Sequence, residues 1–326
     1  MNPEFPVIIL LPGKEQSPQR FHPWIFSGAI KSKSREIEDG ETVEVKDSKG
    51  TTVGIGHYQT GSIAVKLFAF RKTDVDAKFW KNKLLRAYNL RKGLGLLSNP
   101  DTNVYRLVYA EGDGMPGLII DYFNGTAVLQ THNVGMHQIK DLLIEALKDI
   151  YGPDLKAVYD KSEDTMPKLS PVKAVNGLLW GNSENQEVLE NGNKFQVDWE
   201  AGQKTGFFVD QRENRELVKK YSSGRTVLNT FCYSGGFSIY ALEAGAKEVH
   251  SVDSSKKAIE LCDRNVALNG FKDKLSEEGK ALHTSFAEDT FDFLLGRSKY
   301  YDLIILDPPA FAKHQNAKHN AVQGYK

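Results

Sequence analysis

Alternation of hydrophobic and polar residues marks the first seventy positions of the chain. The segments TVEVKD (42–47) and IAVKLFAF (63–70) alternate with period two, and Gly, Lys, Ser and Asp residues form turns between such segments. This period is typical of half-buried β-strands, because successive side chains of a strand point to opposite faces of the sheet. The pattern therefore predicts a small all-β domain, with RFHPWIF (20–26) as an ordered loop between strands.

A helical pattern follows over residues 74–92, where Phe79, Trp80 and Leu84 fall on one stripe among many basic side chains. Two interpretations of the basic side chains stay open: contact with a nucleic-acid backbone, or the solvated surface of a helix that links two domains. Between residues 96 and 195, strand and helix patterns mix, which predicts a central α+β domain.

From about residue 210, helical segments alternate with strands that are apolar throughout, such as TVLNTF (226–231) and YDLIILD (301–307). Repeated βα units with apolar strands indicate a parallel sheet that helices cover on both faces. We therefore predict an α/β Rossmann-like domain at the end of the chain. The whole chain is then predicted to divide into three domains, with bounds at residues 1–73, 74–195 and 196–326.

Composition narrows the class of protein. Hydrophobic residues make up 40% and charged residues 26% of the 326 positions, which excludes a wholly disordered chain. The longest aliphatic run, VIILL (7–11), is too short to cross a membrane, and the presence of only two cysteines favours a reducing compartment. The histidines show no metal-ligand spacing with cysteine. The sequence therefore predicts a cytoplasmic protein with neither a membrane partner nor a metal.

The charges are unevenly distributed although the net charge is zero. Residues 1–95 carry 16 Lys and Arg against 10 Asp and Glu. A positive front end suits a phosphate-rich partner such as RNA. An uneven spread of charge over solvated surfaces explains the excess equally well.

Ligands of open α/β sheets bind beyond the carboxyl ends of the strands, and the sequence locates four such ends. At the first, Gly235 and Gly236 allow backbone amides to approach a ligand closely, although any tight turn can use such glycines. At the second, Asp253 and Ser254 can bind ribose hydroxyls or cap the next helix. At the third, Asp289 can bond an adenine amine or, equally well, cap a helix.

The fourth end, LDPPAF (306–311), carries the strongest signal in the chain. A buried strand leads through Asp307 into two prolines, whose fixed φ angles make a rigid loop with few donors. Asp307, Pro308 and Phe311 can face a flat substrate there, a combination that a structural turn rarely needs. A dinucleotide site has less support, because the first turn reads CYSGGF in place of GxGxxG.

Together these motifs resemble the class I S-adenosylmethionine-dependent methyltransferases. More narrowly, the chain resembles the bacterial large-subunit ribosomal RNA methyltransferases that form 5-methylcytosine, which join a PUA domain, a central α+β domain and a Rossmann-like catalytic domain. The segments that carry the resemblance are RFHPWIFSGAI, YRLVYAEGDGMPGLIIDYF, GQKTGFFVDQRENR, LNTFCYSGGF and LDPPAF. The resemblance implies an RNA-binding PUA-like domain at residues 1–73, S-adenosylmethionine as the cofactor and large-subunit ribosomal RNA as the partner.

The resemblance also implies roles for individual residues. Gly235 and Gly236 would line the methionine part of the cofactor, Asp253 would bind its ribose, Asp289 its adenine and Arg212 its carboxylate. The implied cofactor-binding residues are Lys204, Phe208, Asp210, Gln211, Arg212, Asn229, Cys232, Tyr233, Ser234, Gly235, Gly236, Asp253, Ser254, Asp289 and Asp307. The implied catalytic residues are Asp307, Pro308 and Phe311.

A cysteine nucleophile on a later strand of a seven-stranded sheet is also implied by the resemblance. Its thiolate adds to carbon 6 of cytosine and makes carbon 5 reactive toward the methyl group. Only four strands of such a sheet are predicted here, and of the two cysteines Cys232 lies in the cofactor loop and Cys262 in a helix. We therefore expect a fragment of a longer gene product, inactive alone because it lacks this cysteine.

Two alternative functions stay open from the sequence. Methyl transfer to a base nitrogen needs no cysteine, because a carbonyl of the ProPro loop can accept a hydrogen bond from the attacking amine. A non-catalytic RNA-binding or assembly module would retain the fold with a vestigial cofactor site. The family resemblance is also compatible with a homodimer.

Overall fold

The computed structural model describes residues 5–168, 170–182, 186–276, 278–296, 298–310, 319 and 322. The chain forms two compact units. The first runs to Gln186 and includes Asp198–Val209, and the second comprises Glu187–Val197 and the chain from Asp210 onward. The division into three domains stays a prediction. Residues 187–197 lie with the second unit, although the sequence predicts that the central domain reaches residue 195.

A six-stranded sheet opens the first unit. The strands lie in the order β2-β6-β5-β4-β1-β3, which confirms the predicted all-β fold. Residues 24–26 of the predicted loop instead form a strand that pairs antiparallel with β6. Three residues are too few to show a period, so pairing with a neighbour decides their structure. The elements are β1 (Val7–Leu10), α1 (Gln16–Gln19), β2 (Trp24–Phe26), β3 (Ile30–Lys33), β4 (Thr42–Lys46), β5 (Thr52–Tyr58) and β6 (Ile63–Ala69).

A five-stranded sheet with three helices follows in the same unit. Its strands lie in the order β11-β10-β9-β8-β7. Strand β11, the last of this sheet along the chain, was not predicted because both of its leucines are exposed and its residues do not alternate. The elements are α2 (Ala77–Gly93), β7 (Val104–Tyr109), β8 (Leu118–Phe123), β9 (Thr126–Thr131), α3 (Val134–Gln138), α4 (Lys140–Tyr151), β10 (Ala157–Asp160) and β11 (Gly177–Gly181).

Helix α2 is a packed element of this unit. Asp76 caps its first turn by accepting a hydrogen bond from the Phe79 amide at 2.7 Å. Trp80 is buried in one apolar core with Phe68 of β6 and with residues of α4. Arg91 is buried as well and pairs with Asp113, so at least this basic side chain is unavailable to a nucleic acid.

The second unit contains a parallel sheet, which confirms the predicted Rossmann-like fold. Its strands lie in the order β16-β15-β14-β17, so that the chain crosses from one side of β14 to the other before β17. Strands β12 and β13 form a separate hairpin. The elements are β12 (Glu187–Glu190), β13 (Asn193–Gln196), α5 (Arg212–Ser222), β14 (Thr226–Thr230), α6 (Gly236–Glu243), β15 (Glu248–Asp253), α7 (Lys256–Leu268), β16 (His283–Ala287), α8 (Thr290–Leu295) and β17 (Leu303–Leu306).

Candidate active site

The carboxyl ends of the four parallel strands meet at one edge of the sheet in the second unit. In the strand register, Thr230 pairs with Val252 on one side and with Leu306 on the other, and Val252 pairs with Phe286. Strand β14 lies where the direction of strand addition reverses, which is the position where α/β sheets bind ligands. The predicted residues that follow these ends are Gly235, Gly236, Asp253, Asp289 and Asp307.

The loop between β14 and α6 has an unusual backbone. Phe231 and Tyr233 adopt φ angles of 52° and 46°, and Gly235 adopts 75°. Left-handed backbone at two non-glycine residues costs about 1–3 kcal/mol each, and it persists only where neighbouring structure enforces it. This loop is therefore held in a defined conformation before any ligand binds.

Contacts from β15 and α7 enforce that conformation. The Cys232 amide donates to the Val252 carbonyl at 3.0 Å, and the Tyr233 amide donates to Asp253 Oδ2 at 3.0 Å. From α7, Asn265 Nδ2 donates to the Ser234 carbonyl at 2.9 Å. The sequence does not single out Asn265, because nothing in a helical pattern indicates which loop an amide side chain reaches.

Asp253 connects the loop to the start of α7. Its Oδ1 accepts a hydrogen bond from the Ser255 amide at 2.9 Å, while Ser255 Oγ caps the helix by accepting from the Ala258 amide at 3.3 Å. The helix cap is thus Ser255, and neither Asp253 nor Ser254 serves as the cap. Each carboxylate oxygen retains a second lone pair, which suits the predicted contact with ribose hydroxyls.

Asp289 is the N-cap of α8. Its Oδ1 accepts hydrogen bonds from the amides of Phe291 at 2.8 Å and Asp292 at 3.3 Å. The capping interpretation is therefore confirmed. A contact of this exposed carboxylate with adenine stays a prediction.

A buried polar chain crosses the sheet beneath the loop. Asn229 Nδ2 donates to Ser238 Oγ at 2.8 Å, Ser238 Oγ lies 2.7 Å from Ser251 Oγ, and Ser251 Oγ lies 2.8 Å from His283 Nε2. Asn229 Oδ1 is buried, with no hydrogen-bond partner among the described residues. Buried polar atoms rarely remain unpaired, so an acceptor here fits a ligand with a donor group such as the cofactor's ammonium.

The two cysteines are buried against each other. Cys232 is 5% exposed and Cys262 is fully buried, with its Sγ 3.9 Å from His283 Nε2. Hydrogen bonds from Cys232 and His283 lower the pKa of Cys262, whereas the pKa of Cys232 is raised well above its usual value. Because neither sulfur is exposed, neither thiol is placed to attack a substrate.

The predicted segment 204–212 is divided between the two units. Lys204 and Phe208 lie in the first unit, where the Lys204 ammonium is 4.3 Å from the centre of the Phe208 ring. Thr205 anchors this part by donating to the fully buried Asp121 at 2.6 Å. The remaining predicted residues, Asp210, Gln211 and Arg212, lie in the second unit at the start of α5.

A buried carboxylate beside α5 was not identified by sequence analysis. Glu190, the last residue of β12, is fully buried, and Arg215 Nε and Nη2 donate to its two oxygens at 2.7 and 2.8 Å. The Tyr240 hydroxyl lies 3.0 Å from Glu190 Oε1, and Arg212 Nε lies 3.5 Å from Oε2. The only sequence signal was an acid at an inward position of a four-residue strand.

The loop after β17 presents Asp307 and Pro308. Strand β17 is anchored at its start, where Asp302 exchanges two hydrogen bonds with the backbone of Thr226. Asp307 is exposed and Pro308 is half-buried. Phe311 lies outside the described residues. The roles of Asp307 and Pro308 toward a substrate stay predictions.

Neither a membrane-spanning helix nor a metal-ligand cluster occurs among the described residues. Among them, no helix combines the length and hydrophobicity needed to cross a membrane. The same residues contain no group of three or more His, Cys, Asp or Glu side chains that could hold a metal ion.

Comparison with known sequences assigns families to both ends of the chain. Residues 165–325 match a family described as S-adenosylmethionine-dependent methyltransferase, and residues 8–70 match a PUA-like domain. A relative named ribosomal RNA large subunit methyltransferase I from Alteromonas mediterranea is 36% identical over 98% of this chain and 79% of the relative. The protein of the same name from Erwinia tasmaniensis is 37% identical over 98% of this chain and 80% of its own length.

Solved structures share the fold. A protein from Streptococcus mutans described as a candidate SAM-dependent methyltransferase superposes with a TM-score of 0.78, at 24% identity, over 93% of this chain and 77% of that one. A candidate methyltransferase crystallised with SAH gives a TM-score of 0.80, also at 24% identity, over 95% of this chain and 77% of that one.

Proposed function

The chain belongs to the ribosomal RNA large subunit methyltransferase I family of S-adenosylmethionine-dependent methyltransferases, and on that premise we propose that it methylates carbon 5 of a cytosine in large-subunit ribosomal RNA. The observation that carries the proposal is the alignment of four strand ends in the second unit. It brings a rigid glycine loop and three carboxylates to one edge of the sheet.

The cofactor fits this edge on the chemistry of the residues present. When bound, S-adenosylmethionine supplies an electrophilic methyl group on a positively charged sulfur. The glycine loop would hold the methionine part, with the unpaired Asn229 Oδ1 as an acceptor for its ammonium. Asp253, already oriented by two backbone amides, would accept the ribose hydroxyls.

The substrate base would be bound by the loop after β17. Asp307 would accept a hydrogen bond from the amine on the pyrimidine edge, and Pro308 would shape the pocket with Phe311. A base in a helix is stacked, so it must swing out of the stack before it can enter this loop. The PUA-like domain would hold the RNA backbone, together with the basic helix α2, because residues 1–95 carry 16 Lys and Arg against 10 Asp and Glu.

Methyl transfer to a base nitrogen is the second candidate. Neither Cys232 nor Cys262 is exposed, so neither supplies the thiolate that attack on carbon 6 requires, whereas transfer to a nitrogen requires no thiolate. A ring or exocyclic nitrogen attacks the methyl group directly, and the Pro308 carbonyl would accept the hydrogen bond of the amine.

Two properties of the whole protein belong to the same proposal. We expect it to act in the cytoplasm, where ribosomal RNA is methylated, and to be able to form a homodimer. Sedimentation velocity over a hundredfold range of protein concentration will test the second point, and a single monomer boundary throughout contradicts it.

Nucleoside mapping tests the proposed reaction. Large-subunit ribosomal RNA from cells with and without the gene is digested, and its methylated nucleosides are located by mass spectrometry. Loss of one 5-methylcytosine on deletion supports the proposal. Loss of a nitrogen-methylated base supports the second candidate. An unchanged pattern, together with no binding of S-adenosylmethionine by the purified protein, supports a non-catalytic RNA-binding module.

A further inference from the structure

Phe21 has a strained backbone in the turn that ends helix α1. It lies just beyond the C-cap residue of the helix and has a φ of 64°. Its amide donates to the Pro18 carbonyl at 2.9 Å, and the His22 amide donates to the Ser17 carbonyl at 3.2 Å. These two bonds form a Schellman motif, in which the left-handed residue is usually glycine because a Cβ makes that backbone unfavourable.

The fold gains little from a phenylalanine at this position. Phe21 is 73% exposed, and its ring meets Phe70 edge to face with the two centroids 5.3 Å apart. Glycine would form the same turn without the strain and without presenting an apolar ring to water. Strained residues cluster at functional sites, so a ligand explains this side chain better than the fold does.

The edge strand β2 continues the exposed aromatic side chains. Successive residues of a strand point to opposite faces, so Ile25 enters the core while Trp24 and Phe26 share the other face. Phe26 is 49% exposed. The ring centroid of His22 lies 5.8 Å from that of Trp24 and 6.5 Å from that of Phe26. We call the four side chains Phe21, His22, Trp24 and Phe26 the aromatic surface.

Basic side chains border the aromatic surface. Arg20 directly precedes Phe21, while Arg71 and Lys72 directly follow Phe70. All three cations are exposed, and none forms an ion pair within the part of the chain that the structure describes. Over residues 14–26 and 70–74, four Lys or Arg side chains stand against two Asp or Glu. Exposed rings beside unpaired cations suit single-stranded nucleic acid, because the rings stack on bases and the cations attract phosphates.

We propose that the aromatic surface binds unpaired bases of ribosomal RNA by stacking, with Phe21 as the main platform. Arg20, Arg71 and Lys72 attract the adjacent phosphates. The inference rests on the proposed function, because it takes RNA as the partner of the PUA-like domain. It adds that this domain prefers single-stranded segments, since the bases of a duplex are stacked on one another and do not offer their faces to a phenyl ring.

Two RNAs test the proposal in the full chain. The probes are a fluorescein-labelled oligouridine, which stays single-stranded, and a labelled RNA duplex of the same length. Anisotropy titrations over a range of salt concentrations compare the wild type with Phe21→Gly, Phe26→Ala and Arg71→Gln. The matched control is Tyr300→Ala, because Tyr300 is an aromatic side chain of the second unit that is 95% exposed.

The expected result is selective for the single strand. Phe21→Gly and Phe26→Ala each weaken oligouridine binding at least about fivefold, the effect of one base–aromatic stack, and change duplex binding less than about twofold. Arg71→Gln weakens binding of both RNAs and makes the dependence of log affinity on log salt shallower by about one, whereas Phe21→Gly leaves that dependence unchanged. Tyr300→Ala binds both RNAs like the wild type.

Urea unfolding separates a binding role of Phe21 from a structural role. Because glycine relieves the backbone strain, Phe21→Gly should unfold at the urea concentration of the wild type or above it, as followed by tryptophan fluorescence. A lower midpoint, or equal weakening of both RNAs by Phe21→Gly, would show that the ring serves the fold and would overturn the proposal.

Other outcomes contradict the proposal in different ways. Wild-type affinity of Phe21→Gly for oligouridine would show that no base stacks on this ring. If sedimentation of Phe21→Gly changes while RNA binding does not, the aromatic surface is a contact between copies of the chain. If Phe21→Gly does not fold, Phe26→Ala carries the same test with the same refuting result. Failure of the wild type to bind either RNA would instead refute the RNA partner in the proposed function.

Discussion

Substitution of Gly235 by alanine tests whether the glycine loop is as tightly specified as its contacts indicate. Gly235 has a φ of +75°, and an added Cβ would lie 2.5 Å from Cys262 Sγ and 3.2 Å from Cys262 Cβ. No real Cβ contact is as short as 2.5 Å, so either the loop or helix α7 must move. The substitution therefore combines a backbone penalty with a steric penalty.

Each penalty has an independent magnitude. A left-handed backbone at a residue with a Cβ costs about 1–2 kcal/mol. Extra volume in a packed interior costs about 1–3 kcal/mol more. We expect Gly235→Ala to destabilise the second unit by about 2–5 kcal/mol, the sum of the two.

Gly245 provides a matched control that isolates the steric penalty. It follows α6 with a φ of +79°, and an added Cβ would meet nothing within 4 Å. Gly245→Ala should therefore cost only the backbone penalty of about 1–2 kcal/mol. Cys262→Ala, which removes the Sγ, should recover part of the loss when combined with Gly235→Ala.

Hydrogen exchange measures these effects where they arise. The first unit contains all four tryptophans: Trp24, Trp80, Trp180 and Trp199. Their fluorescence in urea therefore shows whether a glycine substitution in the second unit leaves the stability of the first unit unchanged. Exchange of the amides in β14 and β15 reports the free energy of opening of the second unit. Equal costs for Gly235→Ala and Gly245→Ala, or no recovery with Cys262→Ala, would refute a steric clash between the added Cβ and Cys262.

Three further predictions follow from buried charges and loop contacts. Burial, reinforced by Lys66, lowers the pKa of His57 to about 3, so below about pH 6.5 the unfolded chain binds a proton that the folded chain does not, and stability falls by up to about 1.4 kcal/mol per pH unit toward pH 3. His57→Phe should reduce this slope in urea titrations followed by tryptophan fluorescence, and an unchanged slope contradicts the assignment. Arg215→Met leaves Glu190 buried without its main partner and should cost about 3–5 kcal/mol by exchange of β14 amides, whereas a loss below about 1 kcal/mol would show that water reaches the carboxylate. Asp253→Ala removes the acceptor of two loop amides and should weaken S-adenosylhomocysteine binding at least about tenfold by calorimetry, and wild-type affinity would argue against a ribose contact.

Element types were largely predictable because their signals are local. The helical stripe over 74–92 became α2, and the apolar runs at 226–231 and 301–307 became two neighbouring parallel strands. A period of two or of 3.6 residues is visible within a few turns or pleats, so no tertiary information is needed. Strands β2, β3, β11 and β12 escaped prediction, and each lies at the edge of its sheet, where pairing rather than pattern determines structure.

Candidate site residues were predictable where strand ends locate them. Gly235, Asp253 and Asp307 follow strands that the pattern identifies, and parallel pairing then brings the three strand ends together. The sequence left two interpretations open for Asp253, a ribose contact and a helix cap. The structure identifies Ser255 as the cap, because only its hydroxyl reaches the Ala258 amide.

By itself, the sequence determined most of the helices and strands, the α/β class of the last domain and the family motifs at its strand ends, because each depends on consecutive residues. Only the tertiary structure decided that Glu190 is buried against Arg215 and Tyr240, that Asn265 holds Ser234 and that both cysteines are buried. The contacts of Glu190 with Arg215 and Tyr240 join residues 25 and 50 positions apart, on a hairpin and two helices. Hydrogen bonds and burial depend on distances in space, and no local pattern of residues encodes which distant side chains the fold brings within 3 Å of one another.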